Sequence, residues 1–254
     1  MTSTSDAKSV THMIYSFGAS VRGPLHQKEG QPNEDAWLHA HGDFGSLVVV
    51  CDGMGSRPSA RVGSQMACMA VKEAVSRWSK VQRAPISYLT YLIEILWRLR
   101  LHPVDPASAA TTCLFALASP SGTWLVGGVG DGLALVRSNL EMQIIIGDRG
   151  NGFCNEASGL GASKGQKAWS IAELAPTNQE RIAVLATDGI SDDLRPERLN
   201  DFCNWLIDSF ERLSPRQRWH GLASELRAWP TPGHLDDKTL AVLHMPRTII
   251  EEKI

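Results

Sequence analysis

The sequence predicts an α+β layered domain, and three patterns lead to it. Apolar runs with strand character ("TTCLFALAS", "TWLVGGVG", "LALVRS" and "MQIIIG") follow one another within residues 111–147, separated by short turns such as "SPSG" and "SN". Spacing that short joins antiparallel strands and leaves no room for a crossover helix. Stretches of helical period come in pairs, at about 59–81 and 86–101 and again at about 196–212 and 216–228. No repeat or linker-like composition divides the chain, so the bunched strands and paired helices belong to one layered unit.

Each element has its own justification. Strands are read at about 12–20, 35–41 and 46–51, the last being "SLVVVC". The helix at 59–81 repeats small and apolar residues at helical spacing. A second helix, "ISYLTYLIEILWRLR", begins behind Pro85, and its aromatic and leucine stripe is assigned to core. "LHPVDPAS" breaks the pattern with two prolines. A polar, Gly-rich stretch spans 147–168, "RIAVLATDG" reads as a buried strand ending in an acidic turn, and "KTLAVLHM" is the last strand. Trp205, Trp219 and Trp229 are assigned to packing among the C-terminal helices. Residues 1–10 are expected to be disordered, 11–246 to form the domain and 247–254 to be a surface tail.

Composition narrows the function. A formal net charge of -2 over 254 residues supplies no general basic field for nucleic acid or anionic lipid. Recognition of phosphate must then be local. The five cysteines are widely spaced and include no CxxC, which fits a reducing cytosol better than a disulfide framework. The start "MTSTSDAKSV" lacks an apolar signal core, and no apolar run reaches about eighteen residues. A cytoplasmic location without membrane contact is expected.

Carboxylates stand repeatedly at strand ends. Glu34–Asp35 precedes a strand, behind the loop "GPLHQKEGQPN" with its His26. Asp52 ends "SLVVVC" and is followed by Gly53-Met54-Gly55. Asp131 lies between two apolar runs, Asp188 ends "IAVLAT" with Asp192 close behind, and Asp236–Asp237 precedes "KTLAVL". A single aspartate at a strand end is ordinary turn chemistry. Several gathered on one sheet edge could not all ionise without cations. Oxygen ligands without a Cys or His cluster select Mg²⁺ or Mn²⁺ over zinc. The glycines after Asp52 and Asp188 are expected to give tight turns.

"NEDA", "VVVCDGMGS", "ATTCLFAL", "VGDG", "LATDGISDD" and "DDKTLAVL" occur in the order and spacing of the PPM-type, or protein phosphatase 2C, family. The chain resembles a divergent bacterial branch of it from about residue 14 to residue 245. The resemblance implies a four-layer αββα sandwich of two antiparallel β-sheets flanked by helices. Asp52 resembles the aspartate bridging two catalytic metals, and the Gly53 carbonyl a backbone ligand of the first. Asp188 and Asp236 resemble ligands of the second, and Glu34 and Asp35 an acidic pair acting through metal-bound water. Asp131 and Asp192 resemble ligands of a third metal. Two or three Mn²⁺ or Mg²⁺ ions are thus implied as cofactors.

The activity implied is a metal-dependent protein serine/threonine phosphatase, a phosphomonoester hydrolase using a metal-bridging hydroxide. Its partner would be a phosphorylated protein substrate opposite a Ser/Thr kinase, and the chain is expected to be a monomer. Two departures from the family pattern matter. Gly30 stands where many relatives place a phosphate-binding Arg, and Met54 where many have a His. His26, Lys28, Arg22 and Arg57 are the candidates to compensate. Of these, His26 is the candidate acid or phosphate contact, Arg57 a substrate contact, and Asp237 stands close to the cleft. A pseudophosphatase serving as a binding module, and a phosphatase of non-protein phosphomonoesters, stay open as alternatives. "GLGASKG" at 159–165 lacks the ending of a nucleotide-binding loop and is assigned to a flap beside the cleft.

Overall fold

The computed structural model describes residues 13–139, 141–147, 159–162, 169–229 and 235–247. The expected disordered start, the tail beyond residue 247 and most of the Gly-rich stretch lie outside the described residues. The strands are β1 (Tyr15–Val21), β2 (Ala36–Gly42), β3 (Gly45–Cys51), β4 (Cys113–Ala118) and β5 (Trp124–Val129), then β6 (Leu133–Ser138), β7 (Glu141–Ile146), β8 (Ser170–Leu174), β9 (Arg181–Ala186) and β10 (Lys238–Met245). The helices are α1 (Pro24–Glu29), α2 (Ala60–Trp78), α3 (Ile86–Leu101), α4 (Asp188–Ser191), α5 (Leu199–Phe210) and α6 (Pro215–Ala228).

Two five-stranded sheets result, ordered β1-β10-β9-β6-β7 and β2-β3-β4-β5-β8. Neighbouring strands pair antiparallel throughout. The period-two pattern explains the layering. Val48, Val50, Leu114 and Ala116 of one sheet meet Ala183, Leu185, Ala241 and Leu243 of the other in a central apolar layer. The alternate residues face outward. Leu47, Val49 and Phe115 pack under α2 and α3, while Leu135, Val184 and Val242 pack under α5 and α6. Strands buried on both faces read as continuous apolar runs, as β3, β4 and β9 do. The architecture is the four-layer αββα sandwich that the family resemblance implied.

Several element boundaries differ from the sequence reading. The helix read at 59–81 ends at Trp78, and the one read from residue 196 is a 3₁₀ turn, Pro196–Arg198, followed by α5. The segment around His26, read as a loop, is α1. Pro24 opens it with a preset φ, and Gly30 closes it at φ 71, in the left-handed region that glycine favours. It buries none of its residues, so it left no apolar period to read. The short edge strand β8 likewise lacks a fully buried residue. Trp205 and Trp229 pack around Phe202, as expected, whereas Trp219 is largely exposed.

Candidate active site

The antiparallel order brings the acidic turns to one end of the sandwich. Residues β2 and β3 share Ala36↔Cys51 as a terminal pair, which sets Glu34–Asp35 beside Asp52. In the other sheet Ala186 pairs with both Leu240 and Leu133, which sets Asp188, Asp236–Asp237 and Asp131 at the corresponding end. A cleft of about 490 Å³ opens there. Glu29, Glu34, Asp52, Asp131, Asp188, Asp236 and Asp237 line it, with His26 as the imidazole and no Lys or Arg among the described lining residues. Gly53, Met54, Gly55 and Thr112 complete the wall beside Asp52.

Asp52 is held by its neighbours' backbone and hydroxyls. Its N–H donates to Thr112 Oγ1 at 2.9 Å, and its carbonyl accepts from Thr111 Oγ1 at 2.7 Å and from the Thr112 N–H at 2.8 Å. Thr111 and Thr112 therefore serve structure, as their place at the start of a strand suggests. Gly53 and Gly189 directly follow Asp52 and Asp188. Neither has positive φ, so neither is needed for a left-handed turn. Each is needed for closeness: a Cβ on Gly53 would meet the Ala60 carbonyl oxygen at 2.6 Å, and one on Gly189 the Asp237 carbonyl oxygen at 2.0 Å.

Crowding and burial shift the acids upward. Burial holds the Asp52 carboxyl well above its usual range, reinforced by the charges of Asp35 and Asp188. Burial raises Asp188 too, with Asp236 and Asp131 adding repulsion. Glu34 is raised by burial, partly offset by His26. Asp35 is 7% exposed and pushed up to about 8 by burial, despite hydrogen bonds from Thr239 and Thr187. The Thr187 hydroxyl donates to Asp35 Oδ2 at 2.9 Å while accepting from the Thr239 N–H at 3.1 Å. Asp35 thus sits behind the cleft wall, within electrostatic reach of Asp52.

The remaining candidates separate cleanly. Asp192 sits one turn after Asp188, its N–H on the Asp188 carbonyl at 3.1 Å, and influences the ionisation of Asp188 without lining the cleft. Arg57 is exposed on the turn after Met54 and lies outside the lining. Arg22 is tied to the Gln31 carbonyl at 3.1 Å, and Lys28 is exposed on α1. Only His26 of these cationic candidates reaches the cleft. Its Nδ1 lies 2.9 Å from Asp237 Oδ2, and the ligand atoms of His26, Asp236 and Asp237 fall within 4.8 Å of one another. Sequence reading missed Thr187 and the buried Lys238, whose Nζ donates to the Asp236 carbonyl at 3.2 Å. The threonine before Asp188 in "LATDG" was the available signal.

Two oxygens test whether metals fit here. Glu34 Oε2 and Asp188 Oδ1 are buried with no hydrogen-bond partner among the described residues. Buried carboxylate oxygens without donors call for a cation. The all-oxygen donor set fits a hard divalent ion.

A fold of two packed antiparallel sheets with acidic turns at one end defines a class, that of the PPM-type phosphatase sandwich. The family model described as protein phosphatase 2C matches residues 22–229, and the chain belongs to that family. No curated protein sequence matches the chain. Among solved structures, a bacterial serine phosphatase aligns at TM-score 0.66 and 16% identity, over 94% of this chain and 100% of that one. The catalytic domain of the serine threonine protein phosphatase PstP, solved with two manganese ions, aligns at TM-score 0.61 and 18% identity, over 93% and 100%. RsbX in complex with magnesium aligns at TM-score 0.57 and 14% identity, over 91% and 95%. At these identities the likeness is one of fold.

Proposed function

We propose that the chain is a metal-dependent protein serine/threonine phosphatase. One observation carries this reading: the cleft presents seven carboxylates and an imidazole, with no Lys or Arg among its described lining residues. A phosphate dianion cannot enter such a field unless divalent cations outweigh it. The orphaned oxygens of Glu34 and Asp188 support the same conclusion. Asp52, the Gly53 carbonyl, Asp188 and Asp236 are the residues to hold two Mn²⁺ or Mg²⁺ ions, with Glu34 and Asp35 acting through water and Asp131 and Asp192 serving a third. When bound, such ions supply water activation and charge neutralisation at phosphorus.

The chain's own residues do the rest. Thr111 and Thr112 fix the backbone on both sides of Asp52. Asp237 fixes the ring of His26, which contacts the phosphate or protonates the departing serine or threonine oxygen. The substrate is a phosphorylated protein, the context signalling opposite a Ser/Thr kinase, and the working form a cytoplasmic monomer. A structure solved with two manganese ions and one solved with magnesium, both of this fold, support the choice of metal. The missing guanidinium favours a second reading, a weakly active member used as a binding module.

Asp52→Asn tests the first reading against the second. A neutral amide would hold divalent cations far more weakly than a carboxylate, so Mn²⁺-dependent turnover of p-nitrophenyl phosphate and of a phosphothreonine peptide should fall at least about a hundred-fold, with circular dichroism unchanged. EDTA should silence the wild type, and Mn²⁺ or Mg²⁺ restore it. Near wild-type turnover in the variant, or restoration by Zn²⁺ alone, defeats the proposal. An inactive wild type would leave the binding module.

A further inference from the structure

The outer face of α3 carries an arrangement that the cleft chemistry does not use. Tyr88, Tyr91, Ile95 and Leu99 recur at three- and four-residue spacing and all reach solvent, Tyr91 and Leu99 being 64% and 67% exposed. The same helix buries a separate face, Leu89, Ile93, Leu96 and Trp97, against α2 and the sheet. The core therefore does not need the exposed row. The row is about 16 Å long at the α-helical rise, and Val62 and Met69 of α2 add exposed apolar surface in the same layer.

Charge says what such a face would accept. Between residues 57 and 102 there are eight Lys and Arg against Glu73 and Glu94, a local charge of +6 in a chain of -2. Both acids are engaged. Arg77 and Arg100 bridge Glu73, and Trp169 Nε1 donates to Glu94 at 3.2 Å. Arg98 is exposed on α3 itself, one residue from Leu99, and Arg61, Lys72 and Arg83 are exposed on α2 and on the connection to α3. The row also has an orientation. Trp97 Nε1 donates to the Gly63 carbonyl at 3.0 Å, tying the C-terminal part of α3 to the start of α2. The turn before α2, Asp52–Gly55, is cleft wall. The Leu99 end of the row thus lies toward the cleft.

We propose that this face docks an acidic amphipathic helix belonging to the phosphoprotein substrate, an inference that rests on the phosphatase reading above. The partner's apolar edge lies along Tyr91, Ile95 and Leu99, and its carboxylates face the basic rim. A second copy of this chain is a poor occupant, because it would set two surfaces of the same positive sign against each other. A narrow row on one helix suits a single facing helix better than a lipid plane.

The test uses the full chain and three synthetic substrates. One is a phosphothreonine peptide alone, one carries a Glu/Leu amphipathic helix on a flexible linker, and one carries the Lys/Leu counterpart. Fluorescence anisotropy reads docking, and phosphate release reads turnover. The Glu/Leu substrate should bind at least about ten-fold more tightly than the Lys/Leu one and show a KM about ten-fold below the untethered peptide. The double variant Tyr91→Asp, Leu99→Asp should lose that advantage while p-nitrophenyl phosphate turnover stays unchanged. Arg98→Glu should reduce the preference for Glu over Lys. Equal binding of the two helices, or an advantage that survives the double variant, overturns the proposal. So does flotation with phosphatidylglycerol vesicles, but not phosphatidylcholine ones, without peptide binding. Docking without any turnover would instead uphold the surface and remove the phosphatase reading.

Discussion

His26 Nδ1 and Asp237 Oδ2 stand 2.9 Å apart although 211 residues separate them in the chain. Asp237 is 2% exposed and also accepts from the Gly23 N–H on Oδ1 and the Glu34 N–H on Oδ2, each at 2.7 Å. One carboxylate thus fastens α1, the acidic pair before β2 and the start of β10 together. A carboxylate that only accepts takes its hydrogen bond from Nδ1–H, so the ring can donate a second proton, to a phosphate or a departing oxygen, only as the imidazolium, with N–H on both nitrogens.

His26→Ala should therefore discriminate between leaving groups. If His26 protonates the departing oxygen, turnover of a phosphothreonine peptide should drop at least about ten-fold, while p-nitrophenyl phosphate, whose leaving group scarcely needs a proton, should be little affected. If it binds phosphate, both substrates should suffer and inorganic phosphate should inhibit less. Asp237→Asn should follow His26→Ala in kinetics and, unlike it, lower the melting temperature, because two backbone donors share that carboxylate. Unchanged kinetics on both substrates would assign His26 to α1 alone.

Metal binding should release protons near neutrality. In the metal-free protein Asp35 is pushed up to about 8, and Asp52 lies well above its ordinary range, both by burial and neighbouring charge. The stability contributed by Asp35 is full below its unfolded value of 3.8 and lost as pH rises toward 8. A dication reverses the preference, so Mn²⁺ binding expels the retained protons. Calorimetry at pH 7 in buffers of different ionisation enthalpy should show the heat varying with buffer. A heat independent of buffer would contradict the retention of protons on Asp35 and Asp52 in the metal-free protein.

His244 provides a counter-case of opposite sign at the other end of the sandwich. Burial lowers it to about 4, against partial opposition from Glu180 and with Arg137 and Arg218 adding repulsion; Tyr15 stacks on its ring. The unfolded imidazole takes up its proton at 6.5, so this contribution is present above pH 6.5 and lost as pH falls toward 4. The difference in melting temperature between wild type and His244→Gln should narrow or invert across that window. A constant difference from pH 7 to pH 4.5 would remove His244 from the acid response.

A third ion beside Asp131 and Asp192 should appear as anomalous density in Mn²⁺-soaked crystals. Replacing either residue with Ala should lower turnover while leaving the other two sites filled. Repeated soaks at high Mn²⁺ without density there would remove the third site.

The strands were legible because they are buried on both faces: β3, β4 and β9 are unbroken apolar runs, and α3 starts at Ile86 where Pro85 permits it. The acidic positions were legible because aspartate at a strand end is noticeable when it recurs. What escaped has a physical cause. The helix α1 buries nothing, and β8 lies at a sheet edge, so neither carries an apolar period. The seat of Asp35 behind the wall depends on Thr187 and Thr239, far away in the sequence. Arg57 looked close to the cleft because it follows Asp52 by five positions, yet the turn carries it outward.

Asp52 leaves the sheet of β3, whereas Asp188 and Asp236 belong to that of β9 and β10, and β10 lies between β1 and β9. During synthesis the other nine described strands emerge before β10. Until it slots between the first strand and the ninth, Asp236 and Asp237 have no fixed position and His26 has no anchor, although β6 and β9 can already set Asp131 and Asp188. A chain cut before Asp236 would therefore keep Asp52, Asp131 and Asp188 yet lose both the Asp236–Asp237 pair and the anchor of His26, so the completeness of the cleft rests on one closing strand.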